Sequence, residues 1–476
     1  MKKKTALFLL VLMLLAVFSG CENVVYPGEA ESSAAVGENS QDITDLLPEI
    51  SDSGDGNIEI YNCRVATDKP AHFDSSESDA TLVNSALEQR GKVLLERYRI
   101  NQEVIAVDRA NLAAEIKTAL LSGTDTYDLL SYSQSDAVKL YLDGLLYDLN
   151  SLPGFDAESP LVDKTNATSL ATGKTLYMLP DASNYYFDEL YAVFFNRDMV
   201  GKSGDDPETL VQKGEWTWDK FSELAKSASN VANGVYGFSV YYENYDFSYP
   251  MWMSAGRHII EGTYNGKIAL SMPASEIESV TEELVKHYNV SYVYPKTGSD
   301  ASAAFMNGNT AFIFHKLNYL YALRDGSEKG SEYGFLPMPK LSEEQKNYSC
   351  LASSEAHVLA IPATARFKNQ SESMRTYALL ATTCGIGSET MKTAYIRTQL
   401  VSYLMTNAET VMLSEIVGSA TFDFARTFGG EISEIAGPTV RAVGDRIGYG
   451  SKVQSSINRS IAAFNKYVAE HFDQDT

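Results

Sequence analysis

The stretch Tyr127-Asp-Leu-Leu-Ser-Tyr-Ser-Gln-Ser-Asp136 places an apolar strand directly before the start of a helix. A short apolar run of this kind is typical of a buried strand. Ser133 followed by Asp136 is a typical helix start, and Gly144 marks the predicted end of that helix. A strand that leads at once into a helix predicts a parallel sheet covered by helices.

The same alternation is present upstream of this stretch. Residues Asn57-Ile-Glu-Ile-Tyr-Asn-Cys-Arg-Val65 predict a strand, and Thr81 to Tyr98 predict a helix with an apolar side. A second helix passes through Leu112 and Leu120 and is predicted to stop at Gly123. No internal repeat accompanies this alternation, so the sequence predicts an α/β fold.

Ligands of such sheets bind beyond the carboxyl ends of the strands. This rule points to two segments, Ala66–Phe73 and Tyr132–Ser135. Asp68 and Lys69 lie in the first segment and are expected to form a solvated loop unless a ligand reaches them. Glu355 is a further candidate on the same grounds.

Further along the chain, a series of motifs occurs in a fixed order. They are Gly173-Lys-Thr-Leu-Tyr-Met-Leu-Pro-Asp181, Leu190-Tyr-Ala-Val-Phe-Phe-Asn-Arg-Asp198, Gly214-Glu-Trp-Thr-Trp-Asp-Lys-Phe-Ser-Glu-Leu-Ala-Lys226, Phe305-Met-Asn-Gly-Asn-Thr-Ala-Phe312 and Tyr333-Gly-Phe-Leu-Pro-Met-Pro-Lys340. In this order and at these separations they resemble the extracellular solute-binding proteins of ABC importers, in the branch that includes maltose-binding protein. The resemblance covers residues 57–400.

This resemblance implies an α/β clamp of two lobes, each a mostly parallel sheet flanked by helices. The N-terminal lobe would comprise 57–187 plus 334–400, and the C-terminal lobe 188–333 plus 401–476, with the last stretch assigned by position. The chain would cross between the lobes near 185–192 and return near 331–340, where Pro337 and Pro339 would stiffen it. Such proteins bind a solute and deliver it to a membrane permease as monomers, without catalysis, cofactor or metal.

The resemblance also implies a set of ligand-binding residues, carried over by matching the motifs. Aromatic rings of this branch stack on sugar faces, while carboxylates, amides and histidine bind the hydroxyl groups. The matching positions are Tyr132, Gln134, Asp181, Glu189, Tyr245, Phe247, His315 and Asn318. His315 and Asn318 stand where the maltose-binding pattern has a polar residue and a stacking tryptophan, so that tryptophan is missing here. For His315 a buried structural role remains an alternative.

Part of the quoted motifs has a structural interpretation. Thr217 is a predicted helix N-cap, and Asp219 in the first turn favours the helix dipole. Trp218 and Phe221 fall on the apolar face of the same helix, which assigns Trp218 to the core. Trp252 is also assigned to the core.

The N-terminus resembles a bacterial lipoprotein signal. A basic start is followed by an apolar run from Ala6 to Phe18 and by Ser19-Gly-Cys21. The run is too short to span a bilayer comfortably, so residues 1–20 are predicted to be a signal peptide and Cys21 the lipidated first residue of the mature chain. Phe18 stands where a lipobox usually has leucine, and an ordinary secretory signal with a chance cysteine is the alternative.

Residues 22–56 are rich in Ser, Glu, Asp and Gly and are predicted to be a disordered tether. The protein would then be lipid-anchored at the cell membrane and face outward. The net charge is −23, and removal of the three lysines in the signal peptide leaves −26. An acidic chain disfavours nucleic acid and anionic lipid as partners.

The cysteine spacing and the absence of two enzyme motifs limit the functions that the sequence allows. The four cysteines show no zinc-site spacing, and at most one disulfide can form among Cys63, Cys350 and Cys384 once Cys21 is lipidated. Neither a His-Glu-x-x-His nor a Gly-x-Ser-x-Gly motif is present. Three hypotheses remain: a sugar-binding importer lipoprotein, the same clamp for a peptide or another small solute, and an extracellular carbohydrate enzyme or sensor.

Overall fold

The computed structural model describes a defined part of the chain. This part comprises residues 47, 60–74, 81–156, 159, 175, 177–178, 184–202, 205–242, 245–258, 260–262, 268–325, 332–367, 379, 395–396, 400–423, 458–459, 462 and 465–466. The predicted signal peptide, Cys21, Asp181, Cys384 and all of the predicted tether except Leu47 lie outside the described residues.

Leu47 corrects the predicted extent of the tether. Its side chain is buried in the core beside the first sheet, and its carbonyl oxygen accepts a hydrogen bond from Arg97 Nη2 at 2.9 Å. A disordered segment through residue 56 is therefore wrong at this position, because an apolar side chain within the polar stretch has a pocket to fill.

The described strands are β1 Tyr61–Thr67, β2 Ile100–Ala106, β3 Leu129–Ser133, β4 Tyr191–Asn196, β5 Tyr236–Val240, β6 Ile260–Gly262, β7 Ile268–Leu270, β8 Thr310–Lys316, β9 Tyr333–Leu336, β10 Cys350–Leu351, β11 His357–Ala360 and β12 Ala420–Thr421. The described α-helices are α1 Thr81–Tyr98, α2 Arg109–Ser122, α3 Gln134–Leu142, α4 Arg197–Val200, α5 Pro207–Lys213, α6 Trp218–Ser227, α7 Tyr245–Met253, α8 Ala274–Tyr288, α9 Gly298–Met306, α10 Tyr319–Arg324 and α11 Asn407–Gly418. Short 3₁₀ turns include Pro70–His72 and Asn184–Glu189. Among the described helices, none has the length and apolar character needed to cross a bilayer.

The predicted β-α alternation is confirmed in the first sheet, which has the order β11-β3-β1-β2. Strand β1 pairs in parallel with β2 and with β3, and β11 pairs antiparallel to β3. The predicted stop of α2 at Gly123 is also confirmed, because this glycine adopts the left-handed conformation (φ 67°) that ends the helix. Strand β2 was missed by the sequence analysis.

The second sheet has the order β5-β8-β4-β9. Strand β5 is parallel to β8, while β4 is antiparallel to both β8 and β9. In each sheet, three strands therefore run in one direction, and the strand by which the chain enters that sheet from the other (β4 or β11) runs against them. The expectation of mostly parallel sheets holds for those three strands only.

Two chain segments run between the sheets and lie side by side. Leu190 forms an antiparallel bridge with Ala352, and the amide of Ser353 donates to the carbonyl of Glu189 at 2.9 Å. The first segment agrees with the crossing predicted near 185–192. The return predicted near 331–340 is wrong, because β9 pairs with β4 and the indole of Trp216 donates to the carbonyl of Pro337 at 2.9 Å.

The chain instead returns through residues 349–356, so the predicted lobe boundary at 333/334 divides strand β9. Cys350 lies in this returning segment, whereas Cys63 lies in β1; both are buried and no disulfide joins them.

The core around the second sheet contains the tryptophans that the sequence assigned to packing. Thr217 caps α6 by accepting from the amide of Lys220, as predicted. Trp218 and Trp252 are fully buried, which confirms their predicted places in the core. The candidate site lies beside the crossing segments, where residues that follow β1 and β8 come together.

Candidate functional site

A cavity of about 570 Å³ opens where strands of both sheets meet the crossing segments. Polar and charged side chains dominate its lining. The lining residues are Asp68, Lys69, Pro70, Ala71, His72, Arg109, Asp188, Glu189, Asn318, Glu355 and His357. The lining residues come from five places in the chain. These are the loop after β1, the start of α2, the end of the first crossing segment, the residue two positions after β8 and the start of β11. The strand-end rule therefore located one side of the cavity.

The loop after β1 forms that side. The amide of Lys69 donates to Thr67 Oγ1 at 3.0 Å, and Pro70 begins a 3₁₀ turn with the fixed φ that such a turn requires. The guanidinium of Arg90, from α1, donates to the carbonyl of His72 at 3.2 Å. These contacts hold the loop in place at the cavity, with Lys69 exposed to solvent.

Two imidazoles and a carboxylate meet at the base of this loop. The rings of His72 and His357 pack edge to face with centroids 5.0 Å apart, and His357 Nε2 lies 3.5 Å from Asp68 Oδ1. Burial lowers the pKa of both histidines, which keeps the pair neutral at neutral pH. The Oδ1 atom of Asp68 is buried and accepts no hydrogen bond from the described residues. Asp68 as a residue also lines the cavity.

Arg109 fixes the adjoining wall. It lies at the first position of α2, behind the N-cap Asp108. Its guanidinium donates to Glu355 Oε2 at 2.8 Å, to Asp136 Oδ2 at 2.7 Å and to Ser133 Oγ at 2.8 Å. The hydrogen bond to Glu355 and the attraction of both carboxylates raise the pKa of Arg109. This clamp joins the starts of α2 and α3 to the returning segment.

The crossing segments supply the opposite wall. Glu189 Oε2 accepts a hydrogen bond from Lys316 Nζ at 2.6 Å, and the same ammonium donates to Ser353 Oγ at 3.0 Å. Lys316 also lies over the ring of Tyr242, 5.1 Å from its centroid. The last residue of β8 is thus bound to both crossing segments, and the Glu189 carboxylate is held at the cavity.

Asp188, the neighbour of Glu189, is a carboxyl with an unusual pKa. Its oxygens accept hydrogen bonds from Tyr321 at 2.6 Å and Tyr395 at 3.0 Å. Burial raises the pKa of Asp188 to about 7, and the nearby charge of Glu189 acts in the same direction. The two tyrosine hydroxyls oppose the shift without cancelling it.

We expect Asp188 to make stability fall as pH rises. Its folded pKa of about 7 exceeds an unfolded value near ~4, so its stabilisation is complete below about pH 4 and is lost as pH rises through 7. Between about pH 5 and pH 8 the loss should be roughly 2–3 kcal/mol, and Asp188→Asn should remove it. Urea unfolding at the two pH values measures this. The exposed control Asp300→Asn should keep the wild-type dependence, and an unchanged dependence in Asp188→Asn would contradict the assignment.

Of the site residues matched by motif, two line the cavity, Glu189 and Asn318. The strand-end candidates Asp68, Lys69 and Glu355 line it as well. Asn318 follows β8, and its backbone N–H donates to the backbone carbonyl of Asp188 at 3.2 Å. Asp181 lies outside the described residues, and Tyr245 begins α7 with a side chain that is not described.

The other predicted site residues are packed in the interior and do not line this cavity. Tyr132 is 2% exposed, and its hydroxyl donates to the carbonyl of Val107 at 3.0 Å. Gln134 is buried at the start of α3. Phe247 packs against Phe314 with ring centroids 5.0 Å apart. Their side chains contribute to the two cores, and their assignment to the binding site stays a prediction of the motif match.

His315 likewise has the structural role that the sequence left as its alternative. Its ring stacks on Tyr319 at 4.3 Å, and its Nδ1 accepts from the amide of Lys316 at 2.8 Å. Burial lowers the pKa of His315 to about 4, so it is neutral at physiological pH. Among the described lining residues there is no Phe, Tyr or Trp ring. The described lining can therefore bind polar groups by hydrogen bonding. It does not contain the aromatic rings that the sequence predicted would stack on a sugar.

Sequence reasoning missed His72, Arg109, Asp188 and His357. His72 lies within the segment that the strand-end rule identified, but nothing in its local pattern distinguishes it. Arg109 contacts Glu355 across 246 positions of sequence, a proximity that one sequence alone cannot reveal.

Solved structures of similar fold cover most of the chain. The sugar-binding protein MalE from the phytopathogen Xanthomonas citri is 11% identical, with a TM-score of 0.56 over 87% of this chain and 100% of that chain. An extracellular solute-binding protein from Staphylococcus aureus, solved in complex with maltose, is 11% identical, with a TM-score of 0.56 over 87% and 99%. The cyclic alpha-maltosyl-1,6-maltose binding protein from Arthrobacter globiformis is 14% identical, with a TM-score of 0.56 over 86% and 99%. These likenesses show the fold, which is the two-lobe α/β fold of solute-binding proteins.

The family follows from the sequence itself. The family model for bacterial extracellular solute-binding proteins matches residues 96–395. The chain therefore belongs to this family, whose members bind solutes. A search of curated protein sequences finds no match.

Proposed function

We propose that this protein is a cell-surface lipoprotein that captures a sugar or oligosaccharide in the described cavity and delivers it to an ABC importer. The observation that carries the proposal is a polar cavity placed where both sheets meet the crossing segments. Solute-binding proteins of the same fold include one solved in complex with maltose and one that binds cyclic alpha-maltosyl-1,6-maltose, which supports the choice of a sugar. The bound solute leaves unchanged, since the protein binds without catalysis.

Individual side chains have distinct roles in this proposal. Asp68 and Glu189 accept hydrogen bonds from sugar hydroxyls, and Asn318 both donates and accepts. Arg109 donates to ring or hydroxyl oxygens from the wall that adjoins the Asp68 loop, while Glu355 keeps its guanidinium in place. Asp181 and Tyr245 remain proposed contributors on the basis of the motif match alone.

Closure of the lobes would follow from where the ligand binds. The solute touches groups that follow β1 and groups at the crossing segments, so it bridges the two sheets. A ligand shifts an open–closed equilibrium only by its differential affinity for the two states, and bridging contacts provide that difference. A permease can then distinguish the loaded protein from the empty one.

The proposal predicts sugar binding that depends on Asp68. Isothermal titration of the mature chain with maltose and maltotetraose should give saturable heat, and Asp68→Asn should weaken binding about tenfold or more. A hydrogen bond to a charged acceptor contributes roughly 1.5–3 kcal/mol, which sets that magnitude. Asp300→Asn, an exposed carboxylate outside the cavity, is the matched control and should bind like wild type.

Three outcomes would count against this function. Binding of tripeptides with no response to any sugar would assign the clamp to another solute. Release of shorter sugars from maltotetraose over hours would make the protein an enzyme. Equal affinity in Asp68→Asn and Asp300→Asn would remove this cavity from the binding site.

Membrane attachment is tested separately. Cys21→Ser should leave precursor or released protein in the aqueous phase, because stable anchoring requires the acyl chains. Detergent-phase partitioning of wild type and variant measures this. A matched Cys63→Ser variant should partition like wild type, whereas detergent partitioning of Cys21→Ser would refute the lipoprotein assignment.

A further inference from the structure

A histidine and two carboxylates from different helices converge on the second sheet's helical layer. His287 and Glu283 are one turn apart on α8, and Asp219 lies in the first turn of α6. His287 Nε2 is 3.9 Å from Asp219 Oδ1 and 4.0 Å from Glu283 Oε1, and the three ligand atoms lie within 4.8 Å of one another. These separations are too long for hydrogen bonds.

The imidazole is held so that Nε2 faces the carboxylates. The side chain of His287 is 7% exposed, and its ring stacks on Trp218 with centroids 6.0 Å apart. On its other edge, Nδ1 is 2.9 Å from Ser222 Oγ. A hydroxyl that accepts from Nδ1–H leaves the Nε2 lone pair directed at Asp219 and Glu283. Burial lowers the pKa of His287.

The two carboxylates are free to complete such a site. Asp219 is 87% exposed and can turn toward the ring at little cost. Glu283 Oε2 accepts a hydrogen bond from Lys286 Nζ, and the other carboxylate oxygen, Oε1, lies on the His287 side. Ligand atoms ~2.0–2.2 Å from a tetrahedral zinc are roughly 3.3–3.6 Å apart. The three atoms, which lie within 4.8 Å of one another, would therefore have to approach by up to about 1.5 Å, a distance that rotation of the two carboxylate side chains can supply.

We propose that Asp219, Glu283 and His287 form a binding site for a divalent transition metal, with Zn²⁺ the best match to one imidazole and two carboxylates. Water would complete the coordination, as is usual where the protein supplies three ligands. Bound metal would tie α6 to α8 at the surface of the second sheet. None of the three residues lines the described cavity, so the site is separate from solute capture.

The test uses the mature chain, freed of metal with a chelator and titrated with zinc chloride by calorimetry. Wild type should bind zinc at this site, and Asp219→Asn should weaken that binding at least about tenfold. Ser222→Ala keeps all three ligands but removes the partner of Nδ1, and it should cost about 10–100-fold. Glu282→Gln, which changes an exposed neighbour on α8, is the matched control and should bind zinc like wild type.

Absence of zinc binding in wild type, or equal affinity in Asp219→Asn and Glu282→Gln, would overturn the proposal. Solute titration in the presence of chelator distinguishes this result from a failure of the proposed function. Sugar affinity should be unchanged there, whether or not the zinc site exists.

Discussion

Replacement of Trp218 by alanine is expected to lower the free energy of unfolding by about 3–5 kcal/mol. The indole is 1% exposed and stacks on Phe314 with centroids 5.6 Å apart. Its Nε1–H donates to Ser254 Oγ at 2.9 Å. Alanine would remove this packing, leave a cavity between α6 and β8, and take a donor away from a buried hydroxyl.

Urea unfolding followed by circular dichroism measures this loss. Trp218→Phe keeps most of the ring contacts and should cost clearly less, so the pair of variants separates packing from the hydrogen bond. Met306→Ala removes a half-exposed side chain and serves as a surface control. A loss below about 1 kcal/mol in Trp218→Ala would place the indole outside the core.

Replacement of Glu409 by alanine should cost a similar amount, about 3–5 kcal/mol, by a different mechanism. Its side chain is fully buried, and Oε1 accepts from Arg197 Nη2 and from Arg324 Nη2, each at 2.8 Å. Its Oε2 accepts from the amide of Met405 at 2.7 Å. Without this carboxylate, the guanidinium of Arg324 would be buried with its charge uncompensated.

A second substitution tests that mechanism. If the cost comes from the unpaired guanidinium, Arg324→Met in the Glu409→Ala background should recover part of the lost stability. Chemical unfolding of the single and double variants gives the coupling. A single-variant loss under about 1 kcal/mol, or a double variant with fully additive losses, would contradict the buried-pair interpretation.

Local signals in the sequence predicted local features correctly. The stop at Gly123, the cap at Thr217 and the buried face containing Trp218 each depend on residues within a few positions of one another. Strand β2 was missed because it lies at the edge of its sheet and three of its seven side chains are polar. A period-2 apolar pattern is weak where one side of a strand is not fully covered.

The segment by which the chain returns to the first sheet was harder to predict, because it is defined by contacts between residues far apart in the sequence. Pro337 and Pro339 suggested a stiff connection, yet this segment is hydrogen-bonded to Trp216 and Trp218 beside the second sheet. The true return at 349–356 is recognised only by its pairing with Leu190 and Glu189, residues far away in sequence. Pairing between distant segments is decided by the whole topology.

The sequence by itself determined the α/β alternation, the family and the loop after β1 as one side of the cavity. Those conclusions depend on periodicity, ordered motifs and strand ends, which are properties of neighbouring residues. Only the tertiary structure decided which side chains reach the cavity. The side chains of Tyr132 and His315 pack in the interior. Arg109 and His357 line the cavity although they lie far apart in the sequence. The physical reason is that a side chain's role is set by what lies against it, and folding brings those neighbours from anywhere in the chain.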